Sequence, residues 1–381
     1  MSIATRLPFN RPYRTGEEAA AVAAVIEAGW TGGNGPQSQR CEQLIGELTG
    51  APRVLMTHSC TGALEMAALL AGVGPGDEVV LPSFTFVSTA NAFVLRGATP
   101  VFVDVDPDTL NIDPRRAADA IGERTRAIVA VHYGGVGCDM EALCGLAAER
   151  GLLLVEDAAQ CIGASAGERA LGTFGALGTL SFHETKNVSC GEGGALLVND
   201  ERLAERAEIL QEKGTDRRRF ARGDVDFYTW VDLGSSFLMS DFTAALLAGQ
   251  LERVAQINAA RMAVWDAYHA AFAPLEEAGL ARRPVVPAGM RHNAHLYRLQ
   301  LADRATRDRV IATLGEDGIS AYFHYVPLHS APAGLRHGRV HGPMDVTDAA
   351  AACLVRLPLW AGMTDGDVAR VVAGVRRALG A

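Results

Sequence analysis

The sequence predicts an α/β fold with a second, smaller α+β unit, and three observations carry that prediction. Seven short apolar runs lie between residues 54 and 199, most of them separated by segments of helical length. The last two runs flank a glycine-rich turn too short for a crossover. That predicts a hairpin, and hence one antiparallel strand in an otherwise parallel sheet. Beyond about residue 258 the runs alternate and interleave with helical segments, the sign of a separate unit. The expected division is 1–257 for the large domain and 258–381 for the small one.

A chain of 381 residues can bury a substantial core in each unit. With 49% hydrophobic and 21% charged residues it reads as a globular enzyme rather than a disordered or fibrous chain. The net charge of -9 and the lack of a long basic run argue against nucleic acid or an anionic membrane as partner. Seven cysteines are scattered without a CxxC pair or a His/Cys spacing typical of zinc. No metal is expected, and free thiols in a reducing cytoplasm are the simplest account. No signal-peptide pattern or run of 18 apolar residues occurs.

Taken in order, an alanine-rich helix is expected over about 16–28. Trp30-Thr31-Gly-Gly-Asn-Gly-Pro36 then breaks it, and a second helix runs to about Thr49. The Thr31 loop reads either as an interhelical turn or as part of a ligand cleft. The seven strand-like runs are Val54–Thr57, Glu78–Leu81, Pro100–Val105, Ala127–Val131, Leu152–Glu156, Thr179–His183 and Ala195–Asn199.

After the first run, Ser59-Cys60-Thr61-Gly62 opens a helix. Free N–H groups at a helix start suit a phosphate, although an ordinary Ser/Thr cap is the other reading. No GxxxxGK[ST] pattern is present, which argues against a nucleotide P-loop. Phe84 and Phe86 follow the second run. Either could be core, or could stack on a planar ring. His132 and Tyr133 end the fourth run. Asp157 ends the fifth, where α/β sheets bind ligands, or else it caps the next helix.

The sixth run leads into Ser181-Phe-His183-Glu-Thr-Lys186-Asn-Val-Ser-Cys-Gly-Glu-Gly-Gly194. A lysine held in such a turn is partly removed from water. Burial lowers its pKa toward the range where the free amine attacks a carbonyl. A solvated loop lysine is the alternative. Between Lys213 and Arg222 stand five cations in ten residues, including Arg217 and Arg219. They fit either an anion site or a solvated loop. Ser240 caps a helix expected to reach about Ile257. The small unit then reads as a helix over 259–272, strands over 295–301 and 320–326, and helices over 304–314 and 365–379. His324, Tyr325 and His329 flank a Pro327 turn there and could face the cleft.

Four motifs in this order carry a resemblance that covers nearly the whole chain. They are Cys60-Thr61-Gly62, Pro82-Ser-Phe-Thr-Phe86-Val-Ser-Thr89, Glu156-Asp157-Ala-Ala-Gln160 and Ser181-Phe-His-Glu-Thr-Lys186. Together they resemble the DegT/DnrJ/StrS sugar-nucleotide aminotransferases. Phe-His-Glu-Thr-Lys-Asn, Leu-Gly-Ser-Ser-Phe-Leu-Met-Ser-Asp and Phe-His-Tyr-Val-Pro-Leu-His bring it nearest the branch that aminates dTDP-4-keto-6-deoxyglucose at C4. The resemblance implies a pyridoxal-phosphate-dependent fold type I protein with a seven-stranded mixed sheet.

It further implies that Lys186 carries the cofactor, Asp157 faces its ring nitrogen and Gln160 its 3′ oxygen. Cys60, Thr61 and Ser181 would bind the phosphate, Phe86 would stack on the ring, and His183 would lie beside the cofactor. Ser236 stands where the family has a cofactor-binding asparagine, and Leu238 where an arginine is common, so that arginine's role is absent. Thr31, His132, Arg217, Arg219 and His329 are the expected substrate contacts. L-Glutamate is the implied donor and a dTDP-sugar the implied acceptor, with a homodimer whose active sites lie between subunits. C3 amination of a related keto sugar is the alternative. A pyridoxal-phosphate-binding regulator without turnover is a more distant one. A dehydrating branch of the family carries histidine in place of the lysine, so Lys186 argues against it.

Overall fold

The computed structural model describes residues 6–381; residues 1–5, with which the expected large domain begins, lie outside that range. The seven apolar runs form β1 (Arg53–Thr57), β2 (Glu78–Pro82), β3 (Thr99–Val103), β4 (Thr125–Val131), β5 (Leu153–Asp157), β6 (Leu177–Ser181) and β7 (Gly194–Val198). All five residues of β2, β6 and β7 are buried. Strands covered by helices on both faces are apolar throughout, and these sequences show that pattern.

The strand order is β1-β7-β6-β5-β4-β2-β3. Neighbours from β6 to β3 run parallel, whereas β7 runs antiparallel to both β6 and β1. The expected lysine hairpin therefore supplies the sheet's antiparallel strand. The sheet has eight strands rather than seven, because Arg339–Val340 adds in parallel beside β3. Two residues are too few to read as a run. What holds them is the Arg339 guanidinium on Glu78, at 3.0 and 2.7 Å.

In the C-terminal part, Ala281–Arg282, Tyr297–Leu301 and Leu354–Leu357 form a three-stranded antiparallel sheet. Helices Val254–Ala271, Arg304–Glu316 and Asp365–Leu379 pack with it around Tyr268, Tyr297, Leu299, Leu314, Val355 and Val371. Leu7 belongs to the same cluster, so the N-terminal segment packs on the C-terminal core. The expected strand over 320–326 is not formed. Only Tyr322 makes a bridge, to Arg356, because the Pro327 turn draws the rest of the segment away. The expected long helix to Ile257 is two helices, Asp241–Leu251 and Val254–Ala271, and residue 257 lies inside the second. No helix among the described residues is long and apolar enough to cross a membrane.

Candidate active site

The carboxyl ends of β1, β2, β4, β5 and β6 open on one cavity of about 430 Å³, where an open α/β sheet binds its ligand. Lys186, Asp157, Cys60, Thr61, Gln160, Ser181, His183, Phe86 and His132 all line it.

The turn that carries Lys186 is pinned by its own backbone. Phe182 N–H donates to Gly193 at 2.8 Å, Glu184 N–H to Gly191 at 2.8 Å, and Cys190 N–H to Phe182 at 3.0 Å. The next residue, Asn187, is buried. Its amide donates to the Asn293 carbonyl at 2.7 Å and to Asn258 at 2.9 Å. The Lys186 amine itself has no hydrogen bond or ion pair among the described residues. Burial lowers its pKa from the ordinary lysine value, and the nearby Cys60 and Asp157 oppose that fall only in part. Cys60 is a neutral thiol, pushed up to about 12 by burial.

Asp157 is the last residue of β5 and is 6% exposed. Its Oδ2 accepts from the Thr89 hydroxyl at 2.7 Å and its Oδ1 from Ala159 N–H at 3.2 Å. The helix Cys60–Leu70 begins at the same cavity, capped by Ser59, whose hydroxyl accepts Gly62 N–H at 3.0 Å. The Cys60 and Thr61 amides precede any intrahelical acceptor and carry the positive end of the helix dipole. Gly194 presses against this cup. A Cβ there would fall 2.4 Å from the Cys60 nitrogen, so β7 and the helix start can meet only at glycine. Thr61 and Ser88 hydroxyls pair at 2.8 Å beside it. At the mouth the Phe86 ring is 58% exposed, whereas Phe84 is buried edge-on against Tyr133 and Tyr325.

An unpaired, deprotonation-prone lysine, a fixed carboxylate, an anion cup and a free aromatic face in one cavity match pyridoxal phosphate group by group. The comparisons with known proteins agree. The family model of the DegT/DnrJ/EryC1/StrS aminotransferases matches residues 12–376.

The chain belongs to that family.

It is 35% identical, over 97% of its length and 96% of the relative's, to the spore coat polysaccharide biosynthesis protein SpsC of Bacillus subtilis. Among solved structures it is similar to the aminotransferase TlmJ of Streptoalloteichus hindustanus. That match has a TM-score of 0.88 and 35% identity, and covers 97% of this chain and 98% of the other. It is also similar to the Spr1654 protein of Streptococcus pneumoniae in its PLP form, with a TM-score of 0.89 and 25% identity over 98% and 99% of the two chains. The protein is thus a pyridoxal-phosphate-dependent sugar aminotransferase of fold type I.

In this aminotransferase Gln160 lines the cavity, with its Oε1 accepting Gly134 N–H at 2.6 Å and its Nε2 donating to the Tyr325 hydroxyl at 3.3 Å. Ser181 accepts His183 N–H at 3.4 Å. His183 itself is held by Thr185 at 2.9 Å and lies 3.5 Å from Glu192. His132, expected to touch substrate, is completely buried with both ring nitrogens occupied. Its Nδ1 accepts Cys138 N–H at 3.1 Å, so Nε2 carries the proton donated to Glu156 at 2.9 Å.

Five expected contacts lie off the cavity. Thr31 is in the exposed interhelical loop. Ser236 is exposed and bridged to Glu212 by backbone. Arg217 opens the short helix Arg217–Arg222, in which Arg219 pairs with Glu205 at 3.4 Å. His329 is turned to the Ser83 hydroxyl at 2.8 Å and to Asp348 at 3.4 Å. The side chains of these residues find partners closer to hand within the chain, or solvent.

In and beside the cavity stand groups to which the sequence assigned no role. Thr89, in a quoted motif, proves to be the partner of Asp157. His295 lines the cavity with Nδ1 donating to Asn187 Oδ1 at 3.1 Å, and burial together with Lys186 and Arg261 drives its pKa well below the ordinary value. Arg261 donates to the Ala294 and His295 carbonyls at 3.1 and 2.7 Å. Arg356 reaches the cavity from the strand Leu354–Leu357. The one signal for it is a charged residue inside an otherwise apolar run.

Proposed function

We propose that this aminotransferase moves the amino group of L-glutamate to C4 of dTDP-4-keto-6-deoxyglucose. The observation that carries the transamination is the pairing, in one cavity, of the unpaired Lys186 amine with the fixed Asp157 carboxylate. The cofactor, when bound, supplies the electron sink for the bond broken at the donor's α-carbon. Lys186 Nζ, with its lowered pKa, is the base that accepts the α-proton. Asp157 stays oriented by Thr89 and Ala159, so a proton on a facing ring nitrogen is held without a change of rotamer. The Cys60 and Thr61 amides bind the phosphate. Phe86 offers its open face to the ring, and Gln160 keeps a donor for the 3′ oxygen.

The motifs around Lys186, Ser236 and His324 support the C4 branch and a dTDP-linked acceptor. C3 amination of a related keto sugar needs the same catalytic groups and is the second reading. We further propose a homodimer in which Ser236, Arg217 and Arg219 serve the neighbouring cavity. The exposed Phe227, Tyr228 and Trp230 on the same segment support an interface there. All seven cysteines are free thiols, which supports work in the cytoplasm.

The test is to load the protein with pyridoxal phosphate, record its visible band, add L-glutamate, and then add dTDP-4-keto-6-deoxyglucose. Bleaching by glutamate and recovery with the sugar are the expected results, and NMR of the product distinguishes C4 from C3. Bleaching without recovery refutes this acceptor. A band unmoved by glutamate points instead to a binding protein without turnover.

A further inference from the structure

We propose that Arg356 is a carboxylate subsite of this cavity and takes the α-carboxylate of the amino-acid donor. The inference rests on the aminotransferase reading above and adds the group that recognises the donor.

Arg356 sits in the strand Leu354–Leu357, and its guanidinium lies 4.9 Å over the Phe9 ring. Nη2 donates to the Phe323 carbonyl at 3.2 Å. Nε is buried with no hydrogen-bond partner, and no carboxylate pairs with the group among the described residues. A guanidinium does not give up its charge, and leaving one buried and unpaired is costly. The chain has 44 acidic residues, and 24 ion pairs occupy acids among the described residues. None of those acids is spent on Arg356, so its missing partner is sought outside the chain.

The other basic groups at the cavity do not compete for an anion. Arg261 spends Nε and Nη2 on the carbonyls of Ala294 and His295, where Ala294 holds a positive φ of 50°. His295 and His324 are kept neutral by burial. Lys186 must act as a free amine. The phosphate cup belongs to a different element, the start of the helix Cys60–Leu70. Arg356 is left as a permanent cation whose fork is only partly used, by Nη2 on the Phe323 carbonyl, near enough to Lys186 for its charge to lower that lysine's pKa. A carboxylate takes such a fork in two parallel hydrogen bonds. Because the α-carboxylate is attached to the reacting carbon, it is the donor group that must lie beside Lys186.

The test compares wild type, R356Q and R356K, each loaded with pyridoxal phosphate, by the donor concentration that half-bleaches the visible band. Melting temperature and the intact band before titration establish that the variants fold and bind cofactor. With L-glutamate, R356Q should need on the order of 10²-fold more donor, and R356K less than that but more than wild type. With 4-aminobutyrate, which lacks the α-carboxylate, wild type and R356Q should respond alike. With L-2-aminobutyrate, which lacks only the γ-carboxylate, the R356Q penalty should persist. Equal response of R356Q and wild type to L-glutamate overturns the subsite, as does a penalty equally large with 4-aminobutyrate. A wild-type band unmoved by all three donors overturns the aminotransferase reading and the subsite with it.

Discussion

The Thr89 hydroxyl donates to Asp157 Oδ2 at 2.7 Å, and the contact spans β4, the strand that lies between β2 and β5. Thr89 lies in the helix Val87–Val94 after β2, and Asp157 ends β5. The contact fixes which carboxylate oxygen turns inward. Asp157→Asn should fold, because the amide is nearly the same size. Its turnover should fall by about 10²–10³-fold, as for loss of one preorganised charged contact. Thr89→Val should cost about 1–3 kcal/mol of stability through the buried carboxylate bond it removes. Steady-state kinetics and thermal melts check the two.

Lys186 carries a pH dependence of stability. Burial holds its folded pKa below the ordinary lysine value that it has in the unfolded chain. Between those two values the unfolded chain binds the extra proton. Stability therefore rises with pH through that window and is complete once the lysine is neutral in both states. The cofactor-free Lys186→Met protein should melt higher than the cofactor-free parent at neutral pH. The gap should close as pH approaches the ordinary lysine range. Equal melting of the two at neutral pH would refute the burial argument. The same variant should lose at least about 10²–10⁴-fold in turnover.

At Gly194 the β-carbon of an alanine would fall 2.4 Å from both the Cys60 nitrogen and the Ser59 carbonyl carbon. Gly194→Ala should push the helix start away and weaken cofactor binding by about tenfold or more, equivalent to about 1.4 kcal/mol. Fluorescence titration with pyridoxal phosphate measures it.

Glu156 is completely buried and accepts three hydrogen bonds: His132 Nε2 at 2.9 Å, Gly172 N–H at 2.8 Å and Gly175 N–H at 2.6 Å. Glutamine presents an amide where a donor already points. Glu156→Gln should cost about 3 kcal/mol or more, seen as a lowered denaturant midpoint. Asp157 is the next residue, so cofactor retention should fall with it.

Phe86 gives the opposite signature. Its ring is 58% exposed and packs little. Phe86→Ala should change stability by no more than about 0.5 kcal/mol, yet weaken cofactor binding, which a paired melt and titration would separate.

Much of the large sheet was legible because its strands are buried on both faces and read as unbroken apolar runs. Lys186, Asp157, Cys60 and Thr61 were legible because each follows such a run at a strand end. Of the small sheet only the central strand, Tyr297–Leu301, was legible. Ala281–Arg282 is too short to show a period, and Leu354–Leu357 carries Arg356 where an apolar residue would be read. His295 opened an expected strand without a role assigned to it; only the fold brings it beside Asn187. His132 was placed correctly at a strand end, but its two hydrogen bonds, to Glu156 and Cys138, depend on chain that lies elsewhere. Sequence position could not show that its nitrogens are spent.

β1 has a single neighbour in the sheet, β7, which lies between it and β6. During synthesis, β1 and the helix that follows it leave the ribosome long before β7 exists. The first strand must wait unpaired until residue 198 has emerged, and the anion cup closes only when Gly194 arrives against Cys60. Pairings this far apart in sequence are slow to form and leave an edge open to wrong partners. Pyridoxal phosphate can therefore reward only the finished sheet. A chain interrupted before the lysine hairpin has no pocket for it and an unpaired strand that invites aggregation.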